Sequence, residues 1–331
     1  MIYFRGMALL KVSGVSRKEK AIFTVKDVSF TQKPFQKIAI AGETGSGKTS
    51  LLKMIAGLLQ PDTGEIIFEG KKVRGPNDQL IPGQAGIAYL SQHFELRNNY
   101  WIHEILSYAN ELGSDKAAAL YKIGRIDHLL NRRTDQLSGG EKQRIALTRL
   151  LIGSPRLLLL DEPFSNLDAV HKGIMKSVID DITLKPVITC IMVSHDAPDT
   201  LPWADTILVM KDGEIIQQGK PEQVYRQPID EYCAALFGDY NLVNAVDAAV
   251  LHPKKGASHQ KKLLVRPEQL IISTNGAGLA ATIQSISFMG SYYTIEAFTG
   301  RQLLKIKCIS HRLTKGENVQ LSLADASVQY M

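Results

Sequence analysis

The stretch AGETGSGKTS, Ala41–Ser50, gathers Gly42, Gly45 and Gly47 into one turn and ends on Lys48-Thr49. Its spacing, G-x-x-x-x-G-K-T from Gly42 to Thr49, lets successive backbone N–H groups point inward at phosphate oxygens. The same spacing sets Lys48 against the terminal phosphates and the Thr49 hydroxyl against a divalent cation. Its neighbours fit that reading: KIAIA (Lys37–Ala41) is a short apolar strand, and SLLKMIAGLL (Ser50–Leu59) has helical apolar spacing. The loop therefore opens a helix, where the free N–H groups and the positive end of the dipole favour an anion.

Working outward, 331 residues allow about two domains with separate cores. A hydrophobic content of 44% and a charged content of 22% are those of a soluble globular chain. No run approaches the roughly 18 apolar residues needed to span a bilayer, and MIYFRGMALLKV lacks a signal-peptide layout, so a cytoplasmic protein is expected. Met7 is the expected natural start. Cys190, Cys233 and Cys308 are scattered and form no metal spacing, which suits a reducing compartment without disulfides. The net charge of +6 permits nucleic acid or anionic membrane as partners but selects neither.

In an open α/β sheet, ligand chemistry gathers at the carboxyl ends of strands. Four apolar runs end in usable groups: KIAIA in the phosphate loop, GIAYLS (Gly86–Ser91) in Gln92, RLLLL (Arg156–Leu160) in Asp161-Glu162-Pro163, and VITCIMVS (Val187–Ser194) in His195. Singly each is ordinary surface or cap chemistry; together they describe a phosphoryl-transfer site. Asp161 is the candidate Mg2+ holder, Glu162 the general base for an attacking water, and His195 and Gln92 the groups that sense the γ-phosphate, metal and water.

In LSGGEKQRIALTRLL, Ser138 and Glu141 form the S-x-x-E capping box of an amphipathic helix. The box leaves Gly139 and Gly140 unexplained, since glycine in a first helical turn costs up to about 1 kcal/mol relative to alanine. Their presence suggests a bulky group, such as a phosphate, close to the backbone. One nucleotide already held by the Lys48 loop makes this second anion site more useful to another subunit's nucleotide.

Gly42–Thr49, Gln92, LSGGEKQR, LLLLDEP, Ser165–Asp168 (SNLD) and His195 resemble, in order, the Walker A, Q-loop, signature, Walker B, D-loop and H-loop of ABC transporter ATPases. The resemblance spans residues 7–235 and implies an α/β P-loop NTPase with a helical subdomain at about 93–136. It implies a head-to-tail dimer with two ATPs between one chain's Walker A and the other's signature. ATP contacts then fall to Gly42, Glu43, Thr44, Gly45, Ser46, Gly47, Lys48, Thr49 and Ser50, with Ser138, Gly139, Gly140 and Asp168 from the signature and D-loop; Mg2+ falls to Thr49, Gln92 and Asp161. Two positions depart from the family pattern: Glu19 stands where an adenine-stacking aromatic is usual, leaving Phe23 as the nearest candidate, and Pro34-Phe35 replaces Pro-Gly.

From about Asn241 the runs become short and alternating, as in TIQSISFMGSYYTIEAF, which reads as a small all-β, OB-like barrel over 241–331. Arg266-Pro267-Glu268 and Phe288-Met289-Gly290 resemble the TOBE domain of import ATPases. A dimerisation module remains an alternative for this tail. Oligonucleotide binding is another, but HPKKGASHQKK (His252–Lys262) lacks interleaved aromatics, so no nucleic acid is expected. The implied function is the ATPase of a membrane importer, peripheral on the cytoplasmic face, with permease chains and, indirectly, an extracytoplasmic solute-binding protein as partners. A soluble ABC ATPase acting on ribosomes or DNA and an exporter motor are the alternatives. A P-loop GTPase is excluded because LTKGEN (Leu313–Asn318) lacks the base-reading Asp. HFELRNNYW (His93–Trp101) is the expected permease dock, and the solute cannot be read from a motor chain.

Overall fold

The computed structural model describes residues 8–92, 96, 98–184, 188–252, 262–273, 276, 278–324 and 329–330, and the chain divides into two compact units between Pro221 and Glu222. Met7 and most of His252–Lys262 lie outside the described residues.

In chain order the first unit runs through β1 (Leu10–Glu19), β2 (Ile22–Gln32), β3 (Lys37–Ala41), α1 (Lys48–Ile55), β4 (Thr63–Phe68), β5 (Lys71–Lys72) and β6 (Ile87–Leu90). It continues through α2 (Ile102–Tyr108), α3 (Ser114–Ile123), α4 (Gly139–Ile152), β7 (Leu157–Asp161), α5 (Ala169–Leu184), β8 (Thr189–Val193), α6 (Ala197–Thr200), β9 (Thr206–Lys211) and β10 (Glu214–Gly219). Strands β10-β9-β3-β8-β7-β6 form one sheet, parallel except for the antiparallel edge strand β10. Parallel strands covered on both faces carry unbroken apolar runs, and every residue of β7 and β8 is buried.

An antiparallel sheet of order β2-β1-β4-β5 shares one core with α1 and the parallel sheet, where Val25, Phe30 and Ile66 join Leu51, Leu159 and Ile191. Between β2 and β3 the Pro34-Phe35 turn keeps the conformation that glycine favours: Phe35 has φ 64°, and its N–H donates to Thr189 Oγ1 at 2.8 Å. That bond helps hold a backbone that costs a non-glycine residue about 1–2 kcal/mol.

The insertion expected over 93–136 forms α2 and α3, which pack on α4 around Ile102, Leu106, Ile126, Leu129, Ile145 and Ile152. Its core therefore borrows the helix that follows. That helix starts at the foreseen capping box: Ser138 Oγ accepts from the Glu141 N–H at 3.3 Å, and Glu141 Oε2 accepts from the Ser138 N–H at 2.8 Å.

The second unit begins within α7 (Pro221–Arg226) and follows with α8 (Glu231–Leu236), β11 (Asn241–Val243), α9 (Ala245–Leu251), β12 (Leu263–Val265), β13 (Leu270–Ser273), β14 (Leu279–Phe288), β15 (Tyr293–Phe298), β16 (Leu303–Cys308), β17 (Asn318–Leu323) and β18 (Gln329–Tyr330). Strands β13-β17-β14-β15-β16 make an antiparallel sheet whose last strand returns against the first, and β11-β12-β18 make a smaller one. The alternating runs thus become strands around Ile283, Ile295, Leu304 and Leu321. Helix α9, which the alternation did not announce, is capped by Asn244 accepting from the Asp247 N–H at 2.9 Å and packs on β14 and β17.

Residues 222–236 group with this unit rather than with a first domain ending at 235. The reason is Arg266, 1% exposed, whose Nη1 donates to the carbonyls of Ala234 (3.0 Å), Gly238 (3.1 Å) and Asp239 (3.1 Å). Its Nε and Nη2 donate to Tyr225 O at 3.3 and 3.1 Å, and the guanidinium sits 4.2 Å from the Tyr225 ring centroid. The Tyr225 hydroxyl donates to Glu268 at 2.6 Å, and burial together with this bond pushes its phenol up to about 12. Arg266→Ala strands these carbonyls and is expected to cost about 1–3 kcal/mol, the penalty for a buried unsatisfied polar group. The check is amide hydrogen exchange, which should quicken over residues 225–239 first; unchanged protection there would remove the clamp from the account.

Candidate functional site

The turn at Ala41–Ser50 lies between β3 and α1, and the structure explains its glycines one by one. A Cβ at Gly42 would stand 2.3 Å from the Met210 carbonyl oxygen, and one at Gly47 only 2.0 Å from that of Thr24. Both positions thus require close backbone approach to neighbouring segments. Gly45 has open space around it and is needed for its φ of 87° instead. Gly47 caps α1 without a side-chain acceptor, so the first-turn N–H groups have no side-chain cap.

Lys48 is buried inside this loop, its Nζ donating to Gly42 O (2.8 Å), Glu43 O (2.6 Å) and Ser46 Oγ (3.3 Å). Burial lowers its pKa, against the opposing pull of Glu162, Asp161 and Glu43. The ammonium is thus desolvated within a ring of oxygens, the setting in which an arriving anion is bound most strongly.

Next to the loop, Thr49 Oγ1 donates to Asp161 Oδ1 at 3.0 Å, and the Tyr89 hydroxyl donates to Asp161 Oδ2 at 2.8 Å. Asp161 is 2% exposed, and burial raises its pKa while the two hydroxyls act to lower it. Tyr89 in turn is raised by burial and by Asp161, so it remains a donor at neutral pH. Sequence reasoning missed Tyr89. The available signal was a hydroxyl inside the aliphatic strand IAYL, since a buried tyrosine needs a partner.

Glu162 stands beside Asp161 with φ 48°, a left-handed backbone that a glutamate adopts at a cost. It is held there by its own N–H donating to Val193 O at 3.0 Å and by Ser165 Oγ donating to Glu162 O at 2.9 Å. The side chain then reaches two of the residues picked from strand ends. Gln92 Nε2 donates to Glu162 Oε2 at 3.1 Å, and His195 Nδ1 lies 3.4 Å from Glu162 Oε1. Gln92, Glu162, Asn166 and His195 line a cleft of about 400 Å³. Glu162 therefore has a carboxylate facing a cavity large enough for water and substrate oxygens.

Ser138, Gly139, Gly140 and Asp168 form a second group. Asp168 accepts from the His171 N–H at 2.9 Å, and its Oδ2 lies 2.7 Å from His171 Nδ1. These His171 bonds hold the Asp168 carboxyl below the usual range. The imidazole leans on Gly140, where a Cβ would come within 2.7 Å of His171 Cδ2. This corrects the argument that both glycines make room for a ligand: at Gly140 the space belongs to a side chain of the same chain, and only Gly139 has open surroundings. Helix α4 is also tied to the first group, because Gln143, 1% exposed, donates Nε2 to Pro163 O at 2.6 Å.

Phe23, the aromatic nearest Glu19 in sequence, is 38% exposed, one residue from the Thr24 carbonyl that abuts Gly47, with Lys18 Nζ 4.4 Å from its ring centroid. Of the stretch expected to dock a permease, Tyr100 and Trp101 are exposed, whereas residues 93–95 and 97 lie outside the described residues.

Comparison with known proteins gives two family matches: ABC transporter over residues 25–165 and TOBE domain over residues 263–331. An Fe(3+) ions import ATP-binding protein of Rhodococcus jostii is 33% identical over 295 residues, covering 85% of each chain. A sulfate/thiosulfate import ATP-binding protein of Mesostigma viride is 30% identical over 89% of this chain and 88% of its own. A molybdate/tungstate import ATP-binding protein of Pyrococcus abyssi is 32% identical over 80% of both. Among solved structures, an ATP-binding cassette of an ABC transporter in its ADP conformation superposes with a TM-score of 0.59 at 21% identity, covering 70% of this chain and 98% of that one, a likeness of fold.

Proposed function

Because the chain belongs to the import ATP-binding proteins of ABC transporters, ATPases that work with membrane permease components, we propose that its two groups of residues are complementary halves of a composite ATP site in a dimer. The observation that carries the hydrolytic half of this reading is the meeting of Gln92, Glu162 and His195 at three strand ends, beside the Thr49–Asp161 pair.

In this reading Gly42–Ser50 wraps the ATP phosphates, and Lys48 exchanges its loop carbonyls for phosphate oxygens. The hydroxyl, amide and carboxylate of Thr49, Gln92 and Asp161 are hard oxygen donors of the kind Mg2+ takes. A Mg2+ ion bound by these residues would supply neutralisation of the phosphate charge. Glu162 accepts a proton from the attacking water, His195 holds that water and the γ-phosphate in line, and Gln92 reports their arrival. Phe23 is the candidate aromatic for stacking on adenine. Ser138, Gly139, the backbone of Gly140 and Asp168 serve the nucleotide of the other subunit.

The motor corresponds to the first compact unit, which ends at Pro221, and the TOBE-like part to 241–331, with the clamped segment 222–236 lying between them in sequence. The assembly sits on the cytoplasmic face of the membrane, its permease served by an extracytoplasmic solute-binding protein. The chain reaches the bilayer through those partners; among the described residues no helix is long and apolar enough to cross a membrane. The cargo belongs with the iron, sulfate and molybdate ions named for the relatives, as a class of small inorganic solutes.

A cysteine at Asn98 or Asn99, beside exposed Tyr100 and Trp101, is expected to crosslink to a cytoplasmic loop of the permease in solubilised membranes. Crosslinks formed only from the C-terminal unit would place the dock elsewhere. Failure of any integral membrane protein to co-purify with the tagged chain would overturn the transport reading.

A further inference from the structure

Helix α5 starts directly after Asp168, and its first turns send two lysines toward the segment that carries His195. Lys172 Nζ lies 2.8 Å from Asp196 Oδ2 and 3.0 Å from Asp199 Oδ2, and Lys176 Nζ lies 2.7 Å from Asp199 Oδ1. Asp199 has a side chain only 1% exposed. A buried carboxylate requires such partners, since an uncompensated charge in this position is costly. Ser194 closes the turn from the strand side: its Oγ donates to Asp199 Oδ2 at 3.3 Å and accepts from the Asp196 N–H at 3.1 Å. Lys176 Nζ also donates to Pro198 O at 3.0 Å.

The two oxygens of Asp196 have different neighbours. Oδ2 meets Lys172, while Oδ1 lies 3.7 Å from His195 Nε2. On its other side the imidazole faces Glu162 Oε1, 3.4 Å from Nδ1. His195 therefore stands between two carboxylates, one the candidate base and the other anchored to α5. Burial alone would lower the Lys172 pKa, yet Asp196 and Asp199 hold it above the usual value, and the Lys172 bond holds Asp196 below its own. The lysine thus stays charged at neutral pH.

We propose that Lys172 and Asp196 are positioning residues for His195: the α5 ammonium fixes the Asp196 carboxylate, which sets the imidazole against Glu162. The inference rests on the role given above to His195 and Glu162. It also gives the D-loop helix a mechanical link to the γ-phosphate sensor within one chain. A displacement of Asp168 and the start of α5 moves Lys172, and with it the support of His195.

The experiment measures steady-state and single-turnover ATP hydrolysis by the full-length chain carrying Lys172→Met, Lys172→Arg, Asp196→Asn, His195→Ala, or Lys172→Met combined with His195→Ala. Lys172→Met is expected to lower kcat by roughly tenfold, with KM for ATP changed by less than about twofold, because misplacement of a group acting late in the reaction spares substrate binding. Lys172→Arg, which still reaches both carboxylates, recovers most of the loss. Asp196→Asn leaves Asp199 paired with both lysines and is expected to lower kcat with little change in thermal midpoint, which separates positioning from folding. In the His195→Ala background, Lys172→Met lowers kcat no further. Normal kcat in both Lys172→Met and Asp196→Asn, or a loss that adds in full to that of His195→Ala, overturns the inference. Normal kcat in His195→Ala alone overturns the role of His195 itself.

Discussion

Glu162→Gln is expected to lower ATP turnover by roughly 10²- to 10⁴-fold, the usual contribution of a positioned general base, or about 3–5 kcal/mol of barrier. Nucleotide binding should survive, because the substitution preserves shape and still offers Gln92 Nε2 an acceptor in place of Glu162 Oε2, 3.1 Å away. The left-handed backbone at Glu162, φ 48°, is held by main-chain bonds to Val193 and Ser165 that the amide does not touch. The loss should therefore fall on kcat and on single-turnover rate at saturating Mg-ATP. Hydrolysis near the normal single-turnover rate would sink the assignment and move the base to another group in the cleft, with His195 the nearest.

Mixed dimers supply the second large effect. Lys48→Ala removes the ammonium that the loop carbonyls of Gly42 and Glu43 hold in place, and Ser138→Arg fills the start of α4. Each variant alone should be nearly inactive. If each site joins one chain's Lys48 loop to the other chain's Ser138, a dimer of the two variants carries both lesions in one site and none in the other. Activity should then return, given that a single intact site can turn over. A site closed within one chain gives no rescue. The measurement is ATPase activity of co-expressed mixtures against each parent, with dimer content verified by native mass. Well-formed mixed dimers as inactive as the parents would count against the shared site. The crowding of Gly140 by His171 makes Ser138 the better target, because a change at Gly140 would disturb its own chain first.

The sequence by itself determined the parallel sheet, the loop between β3 and α1, the Ser138–Glu141 cap and the alternating strands of the C-terminal unit. Those features follow from spacing within a few residues: apolar runs bounded by glycine, a hydroxyl three positions before a carboxylate, and alternation of period two. It also ordered the chemistry at strand ends, because a parallel sheet delivers the residue after each buried run to the same edge. Tertiary structure decided which distant groups answer one another. Tyr89 and Asp161 are 72 positions apart and meet only because β6 pairs with β7 in the register Tyr89↔Leu159. Lys172 reaches Asp196 from 24 positions away because α5 lies against the segment that follows β8, and His171 reaches Gly140 because α5 also packs on α4. Arg266 was legible only as part of a motif; its five carbonyl bonds, and the boundary they impose at Glu222, depend on how α7 and α8 fold over it. Local propensity is set by neighbours along the chain, whereas the partner of a buried charge or hydroxyl is set by register and packing, which a single sequence does not display.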